Sequence, residues 1–157
     1  MKSIPRLPTA LFSLLVLVLS SVPAFSGVHL WRVKEVFSNA DGTIQFIEIA
    51  VCCGSTGEIF IGNHPVTSNS HSFPFPGDLT GSTLNKHILL ATSGFAALPG
   101  APTPDHIIPD NFFSTTADTI AFDVYDTLSF SAGQLPTNGI TSLNKDPDDP
   151  TQTISPA

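Results

Sequence analysis

Apolar and polar residues along the chain mostly recur at strand spacing. "VHLWRVKEVF" (28–37) is rich in β-branched and aromatic residues and reads as a strand. "TIQFIEIAVC" (43–52) alternates so that Phe46, Glu48 and Ala50 share one face, and Gln45, Ile47, Ile49 and Val51 the other. Apolar residues on both faces predict a central strand covered on two sides. Glu48 is the exception, and it must find a partner or lie near the sheet edge, because burying a lone carboxylate is costly. Between the two runs lies "SNADG" (38–42), where Asn, Asp and Gly supply turn chemistry, so the pair is predicted to form a hairpin.

Further along, "CCGSTG" (52–57) reads as a second turn and "EIFIG" (58–62) as a short strand. Residues 63–78 read as a loop with weak extended pieces, since their prolines argue against a central strand. "KHILLAT" (86–92) is a strand, 93–100 one turn of helix or a corner, and 101–117 irregular. "DTIAFDVYDTLSFSA" (118–132) gives two strands around a corner at Tyr125 and Asp126, and 135–144 a turn with a last short strand. About seven or eight short strands separated by turn signals predict an all-β fold, a sandwich or small barrel, in one domain.

Composition agrees. Charged residues are 12% of the chain, while Phe numbers 12, Pro 14 and Gly 11, which favours punctuated strands over helices. The net charge is −7, and a surface this acidic repels nucleic acid and anionic lipid head groups. Residues 1–26 carry the secretory pattern: Lys2 and Arg6, an apolar run over 10–22, then small Ala24 and Ser26 before a cut ahead of Gly27. The apolar run is shorter than the roughly 20 residues that span a bilayer. The expected product is a secreted or periplasmic domain over 27–145, with no stable membrane insertion after cleavage. Residues 146–157, "DPDDPTQTISPA", read as a flexible acidic, Pro-rich tail.

In order along the chain, "VKEVFSNADGTIQFIEI", "FPFPGDLTGSTLNKHILLA", "DTIAFDVYDTLSF" and "LPTNGITSLNK" together resemble the lamin tail domain, in the form found in exported bacterial proteins. Glu35 and Glu48 fall on that family's two acidic strand positions, Asn39, Asp41 and Gly42 on its first turn, Phe46 beside the second acid, and Gly139, Ser142 and Leu143 on its closing turn. The resemblance implies an immunoglobulin-like β-sandwich and a non-enzymatic binding or structural role, with no catalytic residues and no cofactor. Its partner would be an unknown protein or surface polymer. The chain departs from the pattern at "AVCCG" and in the long segment 100–117.

Cys52 and Cys53 are the only cysteines. Neighbouring α-carbons lie about 3.8 Å apart, below the usual disulfide span of about 4.4–6.8 Å, and a bond between them needs a distorted turn. A vicinal disulfide, free thiols and intermolecular bonds all remain open. His64 and His71 share one loop and, with either cysteine, are weak candidates for a soft-metal site; the simpler reading is scattered histidines and no metal. The second functional hypothesis is therefore a small metal-binding or redox protein built on the Cys52–Cys53 turn. A hydrolase lacks any supporting motif, with no G-x-S-x-G and no phosphate-cradle spacing.

Overall fold

A computed structural model describes residues 27–149 and 154–157. The proposed export signal, 1–26, lies outside the described residues. The fold is a β-sandwich of two sheets with strand orders β10-β9-β1-β2-β5-β6 and β4-β3-β7-β8. The strands are β1 (Trp31–Ser38), β2 (Gln45–Val51), β3 (Pro65–Thr67), β4 (Ser72–Pro74), β5 (His87–Thr92), β6 (His106–Ile108), β7 (Asp118–Phe122), β8 (Asp126–Phe130), β9 (Leu143–Lys145) and β10 (Ile154–Pro156). One helical turn, α1 (Ser93–Ala96), follows β5, started by the Thr92 side chain accepting from the Phe95 N–H. Pairing is antiparallel throughout except between β5 and β6.

The first hairpin forms as its pattern predicts, and β2 is central, flanked by β1 and β5. Its turn is held by side chains: Asn39 Oδ1 accepts from the Ile44 N–H at 3.0 Å, and Asp41 accepts from the Thr43 hydroxyl at 2.6 Å. Those Thr43 hydrogen bonds lower the Asp41 pKa from 3.8. Gly42 has φ 74°, a left-handed backbone that favours glycine, and a Cβ there would also push the Asn111 side chain, whose Oδ1 lies 2.1 Å from that position.

Between the sheets lies one continuous core that includes Trp31, Val33, Val36, Ile47, Ile49, Leu90, Phe112, Phe122 and Leu128. Two polar clamps cross it. Lys145 Nζ donates to Asp126 Oδ2 at 2.5 Å, and the same oxygen accepts from the Val33 N–H at 2.7 Å, joining β8 to β1 and β9. The buried Gln45 side chain donates to the Phe113 carbonyl at 2.8 Å and pins the irregular segment after β6.

Several expectations need correction. The described residues form ten strands rather than seven or eight. The loop read over 63–78 contains the β3–β4 hairpin; Pro65 opens β3, and Pro74 closes β4 on the sheet edge, two places where a missing N–H is tolerated. "EIFIG" joins no ladder: the Ile61 N–H turns back to the Ile59 carbonyl, Phe60 N–H bonds the Gly27 carbonyl, and Gly62 N–H the Asp78 carboxylate. The fold also continues past 145. Ile154–Pro156 pairs with β9, and the backbones of Ser142 and Ala157 exchange hydrogen bonds beyond it. The segment read as a flexible tail therefore adds the edge strand of the larger sheet.

Candidate functional site

The outer face of the six-stranded sheet is shaped by a bulge in β1. The register shifts between Val33 and Glu35, so Val33 pairs with Ile49 but Glu35 pairs with Glu48. Strict alternation would send Glu35 inward beside Val33. The extra residue turns both Lys34 and Glu35 outward and brings Val36 into the core, the re-aiming that bulges provide. Glu35, Glu48 and Leu89 then form one cross-strand row over β1, β2 and β5. The neighbouring row starts with Phe37 and Phe46, whose rings stack at 5.3 Å. From α1, Phe95 closes edge-on against Phe46 at 5.1 Å.

These rows floor a cleft of about 430 Å³, lined by Glu35, Phe46, Glu48, His87, Leu89 and Phe95, with Asp105 at its rim. A second cleft of about 330 Å³ continues it past Glu35 and Phe46 to Leu98, Gly139, Ile140 and Ser142. Opposed glutamates repel, and the surroundings answer on one side only. Glu48 is ion-paired with Lys34 at 3.4 Å and hydrogen-bonded to the His87 ring. The Glu35 side chain makes no hydrogen bond or ion pair among the described residues. The cleft thus combines an apolar floor with the unpartnered Glu35 carboxylate and with Asp105, whose carboxylate accepts from the Leu89 N–H at 2.8 Å. At its far end Ile140 is 87% exposed and Leu98 41%.

The residues matched to the lamin-tail pattern divide by role. Glu35, Phe46, Glu48, Gly139 and Ser142 line the clefts; Asn39, Asp41 and Gly42 build the turn; Leu143 is in the core. His87, Leu89, Phe95 and Asp105 were missed as site residues. For His87, Leu89 and Phe95 the signal lay only in cross-strand and helix–sheet contact, which a linear pattern does not display.

The cysteines and loop histidines are not brought together. His64 Nδ1 bonds Asp123 Oδ2 at 2.5 Å across the β7–β8 turn. At the other end of the β3–β4 hairpin, the His71 ring lies over Phe112 at 5.6 Å and its Nδ1 meets the Phe112 carbonyl at 3.0 Å. Both thiols are free; Cys52 is buried and Cys53 exposed. The donor atoms of Cys52, Cys53 and Asp148 lie within 4.8 Å of one another. Asp148, read from sequence as part of a solvated tail, was the missed member of that group.

Burial pushes the Cys52 thiol up to about 12, and its hydrogen bond with Cys53 adds to the shift. Only the thiolate alkylates, so iodoacetamide at neutral pH is expected to modify Cys53 at least about a hundredfold faster than Cys52 in the folded, reduced protein. Peptide mapping by mass spectrometry reads the ratio, and equal rates would contradict the burial of Cys52.

Among the described residues no helix is long and apolar enough to cross a membrane. No family model, curated protein or solved structure matches the chain.

Proposed function

We propose that the protein is an exported, non-catalytic binding module of the lamin-tail type, and that its ligand is a protein segment carrying an apolar side chain next to a basic one. The observation that carries this reading is the Glu35–Glu48–Leu89 row beneath the paired clefts. Lys34 pairs with Glu48 and His87 hydrogen-bonds it, so Glu35 is the carboxylate left without a side-chain partner to meet a cation from outside. The apolar floor and the exposed Leu98 and Ile140 give the neighbouring side chain a surface to bury. A sugar polymer fits less well. Phe37 and Phe95 are packed edge and face against Phe46 and are only 9% and 8% exposed, so they offer little flat platform for a pyranose. The acidic net charge favours a basic partner and faster encounter with it.

Selection from a random peptide library tests the reading. Peptides enriched on the protein are expected to pair an apolar with a Lys or Arg residue, and to lose at least about tenfold in affinity on Glu35→Lys, the scale of one charge reversal at a partly desolvated contact. Enriched peptides that bind Glu35→Lys equally, or binding seen only on a glycan array, would overturn it.

A further inference from the structure

The thiol pair sits on a turn whose backbone aims it. Cys53 and Gly54 have φ 63° and 65°, and the Ser55 N–H donates to the Cys52 carbonyl at 3.3 Å, the pattern of a type I′ turn. In a regular strand successive side chains point to opposite faces. The left-handed Cys53 breaks that alternation, so its thiol stays beside that of Cys52. From the C-terminal segment Asp148 closes on the same turn, its Oδ1 accepting from the Cys53 N–H at 2.6 Å. Asp148 is itself placed by a local turn in which its N–H donates to Asp146 Oδ1 at 2.9 Å.

We infer that Cys52, Cys53 and Asp148 form a three-ligand site for a thiophilic divalent cation of the zinc class, with a fourth position open to solvent beside the exposed Cys53. Tetrahedral zinc, with bonds of about 2.3 Å to sulfur and about 2.0–2.2 Å to oxygen, needs donors roughly 3.4–3.8 Å apart. Donors already within 4.8 Å must close by about 1.4 Å at most. A disulfide needs its sulfurs at about 2.05 Å, a much larger distortion of the turn. Two sulfurs among three donors disfavour calcium and magnesium, which take oxygen. Binding is a proton exchange without redox change: the cation forms two metal–sulfur bonds as both thiols release their protons to solvent, while the carboxylate binds as it stands. Loading the site would tie the end of β2 to the segment that leads into β10.

The test uses the purified, fully reduced protein with zinc at low micromolar concentration, read by native mass spectrometry. Cadmium is the second probe, read by its thiolate charge-transfer absorption. One zinc per chain is expected, with cadmium giving the thiolate band. Cys53→Ser should lose zinc, and Asp148→Asn should weaken binding about tenfold or more, while Asp110→Asn, at an exposed acid outside this turn, leaves it unchanged. Apo-protein melting checks that each variant is folded. Three outcomes would overturn the site: no retained zinc after reduction, zinc retained equally by the Cys52→Ser/Cys53→Ser variant, or wild-type affinity in Asp148→Asn.

Discussion

Asp126→Ala is expected to lower the free energy of unfolding by about 3–5 kcal/mol, the cost of removing one partner from a buried ion pair. Lys145 is 1% exposed and Asp126 6% at the side chain, so neither charge has water to fall back on. The Asp126 oxygen that accepts from Lys145 also accepts from the Val33 N–H at the β1 bulge. Alanine therefore strands a buried ammonium and a backbone donor together. The Thr127 carbonyl, at 2.8 Å from Nζ, is the partner that remains. Burial already lowers the Lys145 pKa from 10.5, with Asp126 opposing the shift. A lysine whose folded pKa is depressed binds fewer protons than the unfolded chain, so its penalty is relieved as pH rises through the folded value. The deficit of Asp126→Ala should thus narrow as pH approaches 10.5. Replacing both residues with apolar ones, Asp126→Leu with Lys145→Met, should recover much of the loss. Urea titrations across pH measure all three effects; a loss in Asp126→Ala below about 1 kcal/mol would show that the pair is not the clamp described.

The second large effect is expected at Trp31. It is fully buried at the start of β1, opposite Val51, and its indole N–H donates to the Glu58 carbonyl at 2.9 Å. Through that bond the ring ties β1 to the segment 58–62. Trp31→Ala should cost about 3–5 kcal/mol, from the apolar surface lost and the cavity left behind. Trp31→Phe keeps most of the volume and should cost less, with about 1 kcal/mol attributable to the Glu58 carbonyl losing its donor. Trp31 is the sole tryptophan, so fluorescence cannot follow these variants, and calorimetry or circular dichroism must. Equal stability of Trp31→Ala and wild type would place the ring outside the core.

The sequence made the architecture readable where strands are long and patterned. β1, β2, β5, β7 and β8 each lie within a predicted run, and the turn residues Asn39, Asp41 and Gly42 act through the chemistry that marks them. Three-residue strands escaped because they are too short to show a period of two. β3 and β4 also carry prolines, and β6 is defined only by its parallel partner β5. The segment 58–62 failed the opposite way: its pattern is strand-like, but its partners are the Gly27 carbonyl, the Asp78 carboxylate and the Leu79 N–H rather than a ladder.

The site was half legible. Glu48 was singled out as a carboxylate in need of a partner, and Lys34 and His87 supply one. That Glu35 stands beside it on the outer face depends on a one-residue bulge, which no periodicity in "WRVKEVFS" announces. Asp148 was hidden more deeply. Its acidic, proline-rich surroundings read as solvated chain, and the pairing of β9 with β1 carries the chain toward Trp31, the end of the hairpin where the cysteine turn lies.

The central claim, that ligand is held on the outer face of the six-stranded sheet, is most directly tested by amide and methyl chemical-shift mapping with a selected apolar–basic peptide. Shifts gathered on Glu35, Phe46, Leu89, Phe95 and Ile140, and abolished in Glu35→Lys, are the predicted result. Shifts gathered instead on β3, β4, β7 and β8, or spread evenly over both sheets, would contradict it.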